Sequence, residues 1–73
     1  MRMRRYLVVF QPTDTGYSAY APDLLGCVTT GRTRHEAETN IREAVEFHLL
    51  GLAEAGLRVP EPVTEYAHVY IGP

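Results

Sequence analysis

The feature that most constrains this chain is the stretch Thr33 to Gly56, which carries start, face and stop signals for one long helix. Thr33-Arg34-His35-Glu36 matches the S/T-x-x-E capping box, in which the hydroxyl accepts from the fourth residue's amide and the carboxylate reaches back to the first residue's amide. Glu36 and Glu38 suit the positive end of the helix dipole. Ala37, Ile41, Ala44, Val45, Leu52 and Ala55 recur at helical spacing and form one buried stripe. Gly56 stands where a left-handed C′ residue is expected. The helix is therefore expected over Arg34 to Ala55, about 33 Å long at about 1.5 Å per residue.

A helix of that length dominates a chain of 73 residues. The remainder reads as short strands. Tyr6 to Phe10 is β-branched and aromatic. Gln11 to Gly16 is a run of turn formers, and Tyr17 to Ala21 is a second strand, so the pair makes an antiparallel hairpin. Pro22 cannot donate to a ladder and interrupts the chain before a third strand, Cys27 to Thr30. Beyond the helix, Leu57 to Thr64 holds Pro60 and Pro62 and reads as an extended linker. Glu65 to Ile71 then alternates, with Ala67, Val69 and Ile71 on one face and Tyr66, His68 and Tyr70 on the other, as in a last strand. The expected order is β-β-β-α-β. One α+β domain over residues 1–73 follows, a two-layer fold with a long helix packed on one face of a small antiparallel sheet.

A chain this short buries only about 60% of the surface its unfolded form exposes. Such domains gain stability from disulfides, metals or a second subunit. The single cysteine, Cys27, cannot form an internal disulfide, and His35, His48 and His68 lack ligand spacing. No metal or cofactor is expected, and self-association is the remaining route. Net charge is -2, which argues against broad nucleic-acid binding, although Arg2, Arg4 and Arg5 crowd the N-terminus. No stretch approaches the length of a membrane span, and the apolar run Leu7 to Phe10 is too short for a signal-peptide core. The expected compartment is the cytoplasm.

Several apolar residues fall outside the helix stripe. Leu50 lies nearly opposite its centre, with Phe47 and Leu49 flanking it. A patch of exposed apolar residues marks an interaction site. Phe47 and Leu50 are candidates for self-association, and Tyr66, His68 and Tyr70 for contact with a partner or subunit. Tyrosines suit such surfaces because they join large area to a polar tip.

No catalytic constellation stands out. Asp14 and Asp23 fall in loops, and the glutamates of the helix lie mostly on its polar face. Cys27 lacks a paired cysteine and reads as a small buried hydrophobe. His48 falls within the apolar stripe and reads as a hydrogen-bonded core histidine. Asp23 reads as the acceptor of a local Asx turn. Gly26 and Gly31 read as residues with unusual backbone angles at the ends of the third strand.

From Gly16 to Cys27 the chain runs Gly-Tyr-Ser-Ala-Tyr-Ala-Pro-Asp-Leu-Leu-Gly-Cys, which resembles the G-Y-x-A-x-x-P-D-L-P-G-C signature of HicB-like antitoxins. The resemblance rests on Gly16, Tyr17, Pro22, Asp23 and Gly26. It continues through Thr30-Gly31-Arg32-Thr33, Glu36-Ala37 and Asn40 to Ala44, and takes in Pro60-Glu61-Pro62. Gly31, Thr33 and Glu36 belong to the same framework. Leu25 departs from the usual proline, and Arg32 and Arg34-His35 replace more acidic residues. The resemblance implies a partial ribonuclease H-like fold without catalytic apparatus. The implied role is to bind and neutralise a HicA-like toxin, which cleaves messenger RNA, as a homodimer or higher homo-oligomer. Many family members carry a C-terminal DNA-binding module. The sequence ends at Pro73 without one, so direct DNA binding is not expected. Two other readings are a stand-alone homo-oligomeric regulator or scaffold without a toxin partner, and a degenerate ribonuclease H-like nuclease.

Overall fold

The computed structural model describes residues 3–73. Strand β1 (Val9–Thr13) pairs antiparallel with β2 (Gly16–Tyr20), and β2 pairs antiparallel with β3 (Val28–Gly31), in the sheet order β1-β2-β3. Helix α1 (Arg34–Glu54) follows and packs against β3 and β2. The fold is α+β in two layers, as the sequence predicts.

Register sorts the side chains. Phe10 faces Ala19, which faces Thr29, and this row looks toward the helix. Ala19, Ala21, Cys27, Ala37 and Ile41 are buried there together, and Tyr6, Val8, Phe10, Tyr17, Ala44, Val45 and Leu49 pack around them. The next row, Val9, Tyr20 and Val28, lies on the uncovered face.

Leu24 is the residue that sequence periodicity missed. It sits in a loop, yet it is 1% exposed and, with Ile41, is the largest fully buried side chain. The loop folds on itself: the Ala21 amide donates to the Cys27 carbonyl, the Leu24 amide to Ala21 and the Cys27 amide to Leu24. These bonds drive Leu24 inward and leave Leu25 outside. A buried loop needs such internal pairing of its backbone.

The helix begins as expected, with a difference. The Glu36 amide donates to Thr33 Oγ1 at 3.0 Å, but the Glu36 carboxylate accepts from the Arg32 amide at 3.0 Å rather than from Thr33. The box is thus displaced by one residue at its return bond. Arg34 sets a cation near the positive end of the helix dipole, which is mildly unfavourable, but it has a compensating role. Its guanidinium lies 4.2 Å from the centre of the Phe10 ring and pairs with Glu38 at 2.9 Å. The helix ends one residue early, at Glu54, and Ala55 is exposed. Gly56 has φ of 71°, its amide donates to Ala53, and the Leu57 amide donates to Leu52, which is a Schellman motif.

Gly31 serves by its lack of a side chain rather than by its backbone angle. A Cβ there would stand 2.4 Å from the Ala37 amide nitrogen. The end of β3 therefore lies directly against the first turn of α1. Asn40 Nδ2 ties the same junction by donating to the Thr30 carbonyl at 2.8 Å.

Two strands differ from expectation. β1 starts at Val9 rather than Tyr6 and extends to Thr13 through the expected turn. Its ladder stops where Val9 meets Tyr20, because Ala21 and Pro22 turn away into the loop. Pro12 is tolerated because β1 is an edge strand. The fourth strand expected over Glu65 to Ile71 does not form. The segment is extended and exposed, with no strand partner among the described residues. Its alternation is real, but no edge of the sheet reaches it. The radius of gyration, 14.1 Å, exceeds the roughly 11 Å of a compact chain of this length, and the long axis is 50 Å.

Candidate functional site

Asp23 fixes the path of the C-terminal segment. Its Oδ2 accepts the amides of Val63 at 3.1 Å and Thr64 at 3.0 Å, and its Oδ1 accepts the Thr64 hydroxyl at 2.7 Å. The expected local Asx turn is replaced by a clasp across some forty residues of chain. The Thr64 hydroxyl, then the Thr64 amide, hold the Asp23 carboxyl below its ordinary pKa; desolvation opposes them, and the Val63 amide adds the least of the lowering effects. Tyr6 adds a second anchor by donating its hydroxyl to the Pro60 carbonyl.

Beyond that bond the anchored segment runs past the chain before β1 with no backbone ladder between them. A cleft of about 550 Å3 lies between Arg5–Val8 on one wall and Pro62, Thr64, Glu65 and Tyr66 on the other. A second groove, about 510 Å3, opens at the same edge on the helix side. Its floor is Tyr6, Val8, Phe10, Ile41 and Val45, and Arg4, Arg5, Arg34 and Arg42 stand around it. Arg2 lies outside the described residues.

At the opposite edge of the sheet, a third groove of about 430 Å3 runs between β3 and the helix. Val28, Phe47, His48 and Leu52 line it. Phe47 is 78% exposed and Leu50 56%, so both lie on the surface where the helical pattern puts them. His48 belongs to this groove, half-buried, rather than to the core. The core is shorter along the helix than the stripe implies, because the sheet ends before the helix does.

The structure brings Tyr66 and His68 together in an edge-on pair, with ring centres 6.2 Å apart. Tyr70 projects fully into solvent. These three are not gathered with Phe47 or Leu50, which belong to the helix. Gly16, Tyr17, Gly31, Thr33 and Glu36 cluster instead at the junction of β2, β3 and the helix start, where a Cβ at Gly16 would stand 2.2 Å from the Gly31 carbonyl oxygen. Pro22, Asp23 and Gly26 shape the loop that buries Leu24, and Gly26 has φ of 79°.

Titratable groups are dispersed. Asp14 sits in the hairpin turn and Asp23 is committed to the C-terminal segment. Among the described residues, no three His, Cys, Asp or Glu side chains converge on a point that could hold a metal ion. Burial pushes the Cys27 thiol above its ordinary pKa, opposite to what a nucleophile needs. No helix among the described residues is long and apolar enough to cross a membrane.

What the surface offers is therefore grooves, open strand edges and apolar side chains. Comparison with known proteins agrees. Residues 6–70 match the family described as HicB_like antitoxin of bacterial toxin-antitoxin system. The chain belongs to the HicB-like antitoxin family. Among its relatives, the UPF0150 protein Ta0767 of Thermoplasma acidophilum is 31% identical over 90% of this chain and 97% of its own length. An uncharacterized 14.9 kDa protein of Haemophilus phage HP1 is 33% identical over 84% of this chain, and a UPF0150 protein of Helicobacter pylori is 44% identical over 56%. The chain spans only 47% and 57% of the lengths of those last two. A solved chain of the HicA3 and HicB3 toxin-antitoxin complex superposes with a TM-score of 0.70 at 30% identity, covering 82% of this chain and 70% of that one.

Proposed function

We propose that this HicB-like chain is an antitoxin that neutralises a HicA-type, mRNA-cleaving toxin in the cytoplasm by covering its active surface, without catalysis of its own. The observation that carries this reading is the exposed apolar groove of Val28, Phe47, His48 and Leu52, with Leu50 beside it, on a chain that resembles one member of a toxin–antitoxin complex. Neutralisation by contact needs only shape and a few anchors over about 1,200–2,000 Å2 of interface. Aromatic anchors dominate such contacts, and Phe47 is the most accessible aromatic on the helix. We assign Phe47 and Leu50 to the toxin. We assign Tyr66, His68 and Tyr70 to contact between subunits, and infer that the chain works as a homo-oligomer. This moves Phe47 and Leu50 from self-association to the toxin and keeps the subunit half of the role expected for Tyr66, His68 and Tyr70, because the Tyr66–Tyr70 segment is the one whose backbone lacks partners. Direct DNA contact has no part in this reading, since the net charge of -2 disfavours a polyanion.

The test is an mRNA-cleavage assay with a purified HicA-type toxin and increasing amounts of this chain. Cleavage is expected to stop near stoichiometric addition, with a complex isolable by gel filtration. Undiminished cleavage with no complex would reject the antitoxin reading and favour a stand-alone regulator.

A further inference from the structure

The segment Glu65 to Ile71 has the alternation of a strand and none of a strand's bonds. Among the described residues no backbone group beyond Leu57 is paired with another backbone group, and no side-chain hydrogen bond reaches past Thr64. Val69, Tyr70 and Ile71 are all exposed. At the same time β1 is an edge strand whose outer side is open. An unpaired strand and an unpaired edge in one chain are mutually complementary.

We propose that two copies of this chain form a two-fold dimer by exchanging these segments, each laying its Glu65–Ile71 along the outer edge of β1 and the residues before it in the other copy. The proposal rests on the self-association suggested above and not on the toxin reading.

Three observations choose this edge and this occupant. The first is the cleft between Arg5–Val8 and Pro62–Tyr66, which leaves room for an extended chain between the two walls. The Asp23 clasp holds a copy's own segment on the far wall, and Tyr6 reaches it through its hydroxyl alone, at Pro60, so no backbone ladder joins the segment to its own β1. A strand entering from a second copy has β1 on one side and the first copy's segment on the other. By the two-fold axis, the two segments then run antiparallel side by side, and the two three-stranded sheets join into one eight-stranded sheet.

The second observation is the apolar groove under the same edge. A strand added to β1 turns alternate side chains toward the helix. Its Ala67, Val69 and Ile71 face then meets Tyr6, Val8, Phe10, Ile41 and Val45. The other face sets Tyr66, His68 and Tyr70 beside Val9 and Tyr20 on the uncovered side of the sheet. The third, and weakest, is charge. Arg4, Arg5, Arg34 and Arg42 outnumber Glu38 and Glu46 around the groove, while Glu65 to Ile71 carries Glu65 and no arginine or lysine. Pro12, which cannot donate to an added strand, lies at the far end of β1, away from the cleft.

The experiment compares the full chain, a version ending at Thr64, and Val69→Pro by sedimentation equilibrium. An isotope-filtered NOE measurement on a mixed labelled and unlabelled sample accompanies it. The full chain is expected at twice the monomer mass, with intermolecular NOEs from the Val69 and Ile71 methyls to Val8, Ile41 and Val45. Both variants are expected at monomer mass, about a twofold fall. A dimer whose mass survives truncation and Val69→Pro overturns the exchange while leaving self-association standing. A monomeric full chain overturns both, including the case in which its own segment closes onto its own β1. If the shortened chain fails to fold, the NOEs of the intact protein decide: their absence in a dimer rejects the proposal.

Discussion

The carboxylate of Asp23 binds Thr64 twice, through the amide at 3.0 Å and the hydroxyl at 2.7 Å, and so joins the loop after β2 to the chain beyond the helix. This clasp determines where the C-terminal segment can go. Its pH dependence has a defined sign. The folded-state pKa is depressed below the ordinary 3.8, chiefly by the Thr64 hydroxyl, so the clasp contributes fully above 3.8 and weakens as pH falls through the folded value. We expect the Val63 and Thr64 amide resonances to move toward random-coil positions below pH 3.8. Asp23→Ala should produce the same shifts at neutral pH, with the helix signal in circular dichroism retained. Unshifted resonances in that variant would remove Asp23 from this role.

Leu24→Ala should be among the most destabilising single changes. Large-to-small substitutions at fully buried leucines cost about 2–5 kcal/mol. Leu25→Ala, one residue away and exposed, should stay within about 0.5 kcal/mol of the parent. Urea denaturation of the two variants measures the contrast.

Gly31→Ala places a methyl group 2.4 Å from the Ala37 amide nitrogen. Backbone cannot yield as a flexible side chain can, so the start of α1 must separate from β3. A loss of at least about 1–3 kcal/mol is expected, as for other overpacked sites, with a lower melting temperature by calorimetry.

Phe47→Asp and Leu50→Asp alter exposed positions, so the isolated chain should keep its melting temperature within a few degrees. Affinity for a HicA-type toxin should fall at least tenfold in titration calorimetry, as expected when an interface anchor is removed. Sedimentation of Leu50→Asp should match the parent. A fall to monomer mass would instead return this patch to self-association.

Cys27 should be nearly inert toward a disulfide reagent such as DTNB at neutral pH, because it is buried and its thiol is held protonated. Denaturant should release one thiol per chain. Rapid labelling of the folded protein would contradict this placement.

Elements whose causes are local can be read along the chain. Thr33 and Glu36 mark the helix start, Gly56 its end, and the residues between them its inner face, because capping bonds and helical periodicity act within a few positions along the chain. The motif around Pro22–Asp23 likewise carries the family resemblance. Tertiary structure alone decided what depends on residues far apart in the chain. Alternation at Glu65–Ile71 states that a strand can form there, but a ladder also needs a neighbouring edge, and the Asp23–Thr64 contacts commit the start of the segment to the loop after β2. Leu24 became core because three loop hydrogen bonds turned it inward, and Gly31 was needed because a helix start arrived beside it. Burial and close approach are properties of where distant segments meet, which one-dimensional spacing does not encode.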